Sequence, residues 1–253
     1  MSRNVAVLRH AMVRMLYDPG FVAQIHAGGA PGLDAEELAL LRAIDRRAWS
    51  TDRYRRSRSV QALIEEYPVT TAVLGIAAVD SFFSSDAFGR VLSRRGSLAL
   101  DFGSWAQARG GSVVRLERAI AVARREQRPA GPGLVTKPGV EPLFLPAGVL
   151  DFYVDERKAL GHDPVATLAR RRTRAPRPVD GEGQDALLLE KDSAGQVQVG
   201  GASASLVTLL SFMTTPRTRA ATLAHARRLG CAPGEDAETV DELLAERLLI
   251  ERP

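Results

Sequence analysis

The sequence predicts an α+β protein in which a mostly α-helical N-terminal domain precedes a smaller domain with a β-hairpin and three helices. Three observations support this. Apolar residues in the first half recur at helical spacing with no sustained period-two alternation. In the second half, short alternating segments flank a turn, and three helical patterns follow. The length of 253 residues, with 45% hydrophobic and 25% charged residues, accommodates two modest globular domains.

The domain boundary is predicted at a Pro/Gly-rich run, Pro129-Ala-Gly-Pro-Gly133, which cannot continue a helix. We therefore expect a helical domain over 1–128, a linker over 129–142 and a second domain over 143–253. Residues 1–128 hold 19 arginines against 13 acids, a net charge of +6. The remainder holds 15 basic residues against 17 acids, a net charge of −2, so the two halves differ in sign.

The helices of the first half follow from caps, stops and apolar stripes. Asp34 with Glu37 three residues later predicts a capping box. Tyr67-Pro68 ends one helix, and the apolar segment 69–83 predicts a central buried helix whose Phe82 and Phe83 belong to the core. The predicted helical segments are 4–16, 34–48, 51–67, 69–83, 85–92, 97–108 and 112–128.

The second half predicts strands before its helices. A strand is expected at 143–145, and segments 187–190 and 196–199 flank a polar turn, as in a hairpin. Helices are then expected at 203–213, 216–229 and 236–247, and a strand at 248–251. This order is typical of a winged-helix-like unit. Before it, a mobile basic loop is predicted at 164–183, containing Arg170-Arg-Arg-Thr-Arg174 and Arg177.

Several classes of chemistry lack their usual residues. The four histidines are scattered singly, Cys231 is the one cysteine, and no nucleotide-binding loop or serine-hydrolase elbow is present. No apolar run is long enough to span a membrane, and the first residues do not form a secretory signal, so we expect a cytoplasmic protein. Asp151, Asp155 and Glu156 lack a nearby nucleophile or histidine, so we expect no catalysis from them.

The densest charge cluster combines arginine and aromatic residues. Its members are Arg46, Arg47, Arg53, Arg55, Arg56 and Arg58, with Trp49 and Tyr54. Such a surface suits an anionic partner such as an acidic peptide, nucleic acid or phosphate. Internal ion pairs with neighbouring acids are the alternative, and the candidates are Asp45, Asp52, Glu65 and Glu66.

A winged-helix-like unit can bind DNA or a peptide. In a DNA-binding version, segment 216–229 would enter the major groove, carrying four arginines and His225 to the bases. In a peptide-binding version, an extended segment would add to the edge of the sheet. The net negative charge of this half favours the peptide, and nucleic acid is not expected.

The order of short motifs resembles one known family. These motifs are Leu16-Tyr-Asp-Pro-Gly-Phe21, Leu41-Arg-Ala-Ile-Asp45, Arg47-Ala-Trp49, Asp52-Arg-Tyr-Arg-Arg56, Glu66-Tyr-Pro68, Phe82-Phe-Ser-Ser85 with Phe88, and Arg115-Leu-Glu-Arg-Ala119. They resemble the partner subunit of multinuclear non-haem iron oxidases in ribosomal-peptide biosynthesis, as in methanobactin pathways. The likeness covers residues 10–126 best, and the hairpin with three helices resembles the precursor-recognition winged-helix fold more loosely.

The resemblance implies a non-catalytic subunit that works with two partners. The iron would reside in a separate TIM-barrel oxidase, and this chain itself would hold no cofactor. It would bind the oxidase and help position a precursor peptide for modification of a cysteine. The docking face or peptide channel would involve Asp45, Arg47, Asp52, Tyr54, Arg55, Arg56 and Glu66.

In the hairpin, the resemblance places a leader strand at four apolar residues: Leu187, Leu189, Val197 and Val199.

Two other functions stay open. One is a DNA-binding transcriptional regulator that uses segment 216–229. The other is a free-standing enzyme that uses carboxylates of the helical half.

Overall fold

The computed structural model describes residues 3–45, 49, 53–94, 96–126, 128–178 and 181–253. In this part of the chain, 14 α-helices accompany two small antiparallel sheets, which confirms the α+β class. The helices are α1 Arg3–Tyr17, α2 Pro19–Ala27, α3 Ala35–Arg42, α4 Arg53–Glu66, α5 Pro68–Leu74, α6 Ile76–Ser81, α7 Asp86–Arg94, α8 Leu98–Gly110, α9 Ser112–Arg125, α10 Val149–Leu160, α11 Pro164–Arg170, α12 Ala204–Phe212, α13 Arg219–Arg228 and α14 Glu235–Ala245. The strands are β1 Gly133–Thr136, β2 Val140–Pro146, β3 Gln184–Lys191, β4 Val197–Gly201 and β5 Leu249–Arg252.

The chain divides into two compact units that are not continuous in sequence. The first, here called the helical unit, comprises Met1–Val114 and Tyr153–Arg177, and the second, the sheet unit, comprises Arg115–Phe152 and Pro178–Pro253. This division differs from the boundary expected at the Pro/Gly run, because the chain enters the sheet unit within α9 and returns to the helical unit within α10.

In the helical unit, the capping box predicted for α3 is confirmed. The Asp34 carboxylate accepts a hydrogen bond of 2.8 Å from the Glu37 N–H, and the Asp34 N–H donates to the Glu37 carboxylate at 3.0 Å. These bonds satisfy amide donors that have no partner within the first turn of a helix.

The prediction of one buried helix over 69–83 is wrong in its continuity. The helix stops at Leu74, and α6 begins after Gly75, which has φ +85°. Only glycine adopts this conformation without strain. A Cβ atom at Gly75 would also lie 3.0 Å from the Nε atom of Arg174, so both the backbone and its neighbour require glycine here.

The core of the helical unit is aromatic, and the prediction that Phe82 and Phe83 are buried is confirmed, since both are 0% exposed. The ring centroids of the two residues lie 5.6 Å apart in an edge-on arrangement, and the ring centroid of Phe102 lies 5.4 Å from that of Phe82. Tyr67 is also fully buried, and its hydroxyl donates a hydrogen bond of 2.7 Å to the Ala99 carbonyl. A buried phenol needs such a partner.

In the sheet unit, strands pair in the orders β1-β5 and β2-β3-β4. The predicted hairpin is confirmed as β3–β4, with Leu189 opposite Val199, and β2 contains the strand predicted at 143–145. Helices α12, α13 and α14 match the three predicted helices, and β5 matches the closing strand. A core cluster joins α12 and α14 to β1, β2 and β5 through Leu209, Leu210, Val240, Leu134, Val140 and Leu249.

Two segments predicted as irregular contain regular structure. Residues 133–142, expected in a linker, form β1 and the start of β2. Strand β1 forms because Leu134, Val135 and Thr136 are buried against a partner, β5, that lies far along the chain. The first seven residues of the expected loop 164–183 form α11. None of the helices in the described residues has the length and apolarity needed to cross a membrane.

Candidate functional site: the open edge of strand β4

Strand β4 lies at one edge of the three-stranded sheet, and its hydrogen-bonding register with β3 is fixed at both ends. The Ala202 N–H donates to the Ala186 carbonyl at 2.9 Å just beyond one end of the ladder. The Asp192 N–H donates to the Gln196 carbonyl at 2.8 Å beyond the other end. In an antiparallel pair, hydrogen-bonded and non-hydrogen-bonded positions alternate, so these two bonds determine every position between them.

The alternation decides which backbone groups of β4 remain available. Gln198 and Gly200 face β3 and bond to it. Val197, Val199 and Gly201 direct their N–H and C=O groups away from β3, toward the outer edge. No strand pairs with that edge in the described part of the chain. Three residues therefore present a row of donors and acceptors.

The sequence of β4, Val-Gln-Val-Gly-Gly, contains none of the usual devices that protect an edge. It has no proline and no charged side chain. Natural proteins commonly block exposed edges with lysine, proline or a bulge, because a bare edge pairs with other strands. The β4 edge is thus chemically competent to accept an extended segment.

The opposite edge of the same sheet, on β2, is closed in part by proline. The Lys191 N–H donates to the Gly139 carbonyl at 2.9 Å, which sets the alternation along β2. Pro142 and Pro146 therefore stand at outward-facing positions, where a strand would require an N–H that proline lacks.

Two arginines donate hydrogen bonds to two of the four outward-facing carbonyls of β2. Arg115 donates to the Phe144 carbonyl at 2.6 Å, and Arg128 donates to the Val140 carbonyl. With two outward carbonyls bonded by arginine side chains and two outward N–H groups replaced by proline, β2 offers fewer backbone partners to a further strand than β4 does. Of the two edges of this sheet, β4 is the one without proline or side-chain hydrogen bonds along its outward row.

The apolar residues predicted at the hairpin divide into two roles. Leu187 and Leu189 are 2% and 0% exposed and lie in the core, so they support β4 from beneath. Val197 and Val199 are half-buried and lie on the edge strand itself. A docking segment would therefore contact the valines, and the leucines would act by holding the strand in place.

The face of β4 opposite to Val197 and Val199 has open space at Gly200. Gly200 lies opposite the half-buried Leu188, which packs against the core cluster of the sheet unit. A Cβ atom built at Gly200 would meet no atom within 4 Å. Side chains of an added strand would find room here beside apolar surface, a feature that the sequence pattern alone did not single out.

The other predicted site residues belong to the helical unit, except that Arg47 and Asp52 lie outside the described residues. Tyr54 is 74% exposed on α4, and Asp45 is also exposed. Arg55 and Glu66 are half-buried. An exposed tyrosine beside arginines is consistent with a docking surface.

Arg56, by contrast, forms an ion pair within the helical unit. Its guanidinium donates to both carboxylate oxygens of Asp80, at 2.6 and 2.8 Å, and to the Tyr17 carbonyl. Its Cζ atom lies 5.8 Å from the ring centre of Phe83. Internal pairing was one expectation for this cluster, but the acid involved lies 24 residues away and was not among the candidates.

The charges of α13 are partly neutralised by α14. The Arg227 side chain donates to the buried Asp236 at 2.7 Å, and Arg219 pairs with Asp241 at 2.5 Å. These two arginines belong to the segment that a DNA-binding version would place in the major groove. Their carboxylate partners reduce the positive charge available for phosphate.

Within the described residues, no group of three His, Cys, Asp or Glu side chains comes close enough to hold a metal ion. No family model and no curated protein matches the sequence.

Proposed function

We propose that this chain is a non-catalytic partner subunit that holds a precursor peptide as an added strand on β4. In this proposal a separate iron-dependent oxidase of TIM-barrel fold binds the chain and modifies a cysteine of the peptide in the cytoplasm. The oxidase supplies the iron chemistry, and this chain supplies binding and orientation. The observation that carries the proposal is the open, uncharged edge of β4.

Strand addition gives affinity through the main chain and selectivity through alternate side chains. Val197, Val199 and Gly201 offer outward N–H and C=O groups for a peptide of any sequence. The space above Gly200, next to Leu188, would accept one set of the peptide's side chains. The closed edge of β2 supports a single docking position on this sheet.

The arrangement of the sheet unit agrees with a winged-helix-like recognition domain. A hairpin, three helices and a closing strand follow one another, and the helices pack with the strands around one apolar cluster. The pairing of Arg219 and Arg227 with acids of α14 favours a peptide over DNA as its ligand.

A proline on the edge strand tests the proposal. Val199→Pro removes an outward N–H and leaves the bonds to β3 intact, so the fold should tolerate it. The matched control, Val199→Thr, keeps the N–H at the same position. We expect Val199→Pro to weaken binding of a labelled precursor peptide by about tenfold or more, as measured by fluorescence anisotropy, and Val199→Thr to change it little.

The proposal requires that an iron-dependent oxidase and a short cysteine-containing precursor peptide be encoded beside this chain, and these are the partners to be used. Co-expression and size-exclusion chromatography should yield a complex of the chain with the oxidase. Unchanged peptide binding by Val199→Pro would refute docking on β4, and failure to isolate the complex would refute the role of partner subunit.

A further inference from the structure

A small cavity in the helical unit carries a second inference, independent of the peptide-docking edge. Its volume is about 300 Å³, which is at the lower end of the range for small-ligand sites. One wall is formed where α5 ends and α6 begins, at Ala72, Gly75 and Ile76. The other wall is formed by Leu168 and by the arginine-rich segment that follows α11.

The arginine-rich segment, residues 170–177, is anchored across this cavity. The Ala175 N–H donates to the Ala72 carbonyl at 2.8 Å, and Ala175 is 5% exposed. Arg171 pairs with Glu156 of α10. These two contacts anchor the backbone of the segment and Arg171 against neighbouring helices of the helical unit.

The arginines on this segment differ in their partners. Arg171 is compensated by Glu156, whereas Arg172 and Arg174 have no carboxylate or hydrogen-bond acceptor among the described residues. The guanidinium of Arg174 lies directly over Gly75, with its Nε atom 3.0 Å from where a Cβ would be. Two uncompensated guanidinium groups thus line one cavity, together with small apolar side chains.

We propose that this cleft binds an oxyanion, the carboxylate or phosphate group of a small ligand, with Arg172 and Arg174 as its cationic partners. The planar guanidinium matches both groups and forms two parallel hydrogen bonds to either. The apolar wall of Ala72, Ile76 and Leu168 would contact the uncharged part of the ligand. This site goes beyond the proposed function, since it lies on the helical unit and uses none of the β4 residues.

The test uses two probes on the full chain, inorganic phosphate and N-acetylglutamate amide. Binding is followed by the amide resonance of Gly75 in ¹H–¹⁵N spectra. We expect a saturable shift in the millimolar range for at least one probe. Saturation by phosphate alone identifies a phosphate-bearing ligand, saturation by the glutamate probe alone identifies a carboxylate, and saturation by both supports a general oxyanion site.

A matched pair of variants separates the cleft from general charge. Arg172→Gln with Arg174→Gln should raise the dissociation constant about tenfold or more. Arg170→Gln with Arg177→Gln removes the same charge from two arginines that are exposed like Arg172 and Arg174 but do not line the cavity, and should change the constant less than about twofold.

The single variant Arg172→Gln leaves the contact between Arg174 and Gly75 intact and should weaken binding about threefold or more. Equal weakening by the two double variants would show diffuse attraction and overturn the site. The absence of saturation with both probes would overturn it as well.

Discussion

Replacing Arg128 with methionine should destabilise the sheet unit more than the same replacement of an exposed arginine would. The Arg128 side chain is 4% exposed and lies 2.8 Å from the Glu141 carboxylate, which is 18% exposed. It also donates to the Val140 and Thr136 carbonyls. Removing one partner of a buried ion pair leaves an uncompensated charge and costs about 3 to 5 kcal/mol in the free energy of unfolding.

The effect should depend on pH, with a sign that follows from Glu141. Burial raises the pKa of this carboxyl above its ordinary value of 4.5, and Arg128 opposes the rise. Without Arg128, the pKa in the folded state rises further. A raised folded-state pKa contributes stability at low pH that is lost as the pH rises, so Arg128→Met should be closest to the wild type near about pH 5 and furthest near about pH 8.

The measurement is urea unfolding followed by circular dichroism at these two pH values. Glu141→Gln serves as the control, because it removes the charge but keeps a hydrogen-bond acceptor for Arg128. It should cost about 1 kcal/mol. A loss for Arg128→Met of less than about 1 kcal/mol, or one that is the same at both pH values, would refute the reasoning.

Two further outcomes follow from the structure. Gly75→Ala should lower the free energy of unfolding by about 1 to 3 kcal/mol, because the positive φ of the backbone and the nearby Arg174 both disfavour a side chain. A thermal midpoint equal to that of the wild type would contradict this. Burial lowers the pKa of His225 from 6.5, and two nearby arginines lower it further. On acidification the unfolded state therefore takes up this proton first, and the free energy of unfolding decreases as the pH drops below about 6.5. His225→Gln should reduce that fall in urea titrations at about pH 7.5 and 5.5, and an unchanged slope would show that His225 does not contribute.

Local sequence signals predicted much of the secondary structure. The capping box at Asp34 and the hairpin around 191–195 depend on residues within a few positions of each other, so their patterns are visible in the sequence. The break at Gly75 was missed because a single glycine inside an apolar segment is compatible with a continuous helix. Its requirement for glycine comes partly from Arg174, 99 positions further along the chain.

The candidate site was predicted only in part. The alternation of Val197 and Val199 identified the strand, but which of its backbone groups are available depends on the register with β3. The partner of Arg56 was not found because Asp80 lies 24 residues away and is brought close by the packing of other helices. Long-range ion pairs have no periodicity by which a sequence could reveal them.

The sequence by itself determined the α+β class, the three helices after the hairpin, the β3–β4 hairpin and most helices of the first half, because apolar spacing, caps and turns act over a few residues. It missed α2, α10 and α11 and the break between α5 and α6. The tertiary structure alone decided that β4 has the open edge and β2 the closed one. Pro142 and Pro146 were visible in the sequence, but their outward position depends on the pairing of β2 with β3. Arg115 reaches its carbonyl across 29 positions, and contacts of that range arise only when the chain is packed.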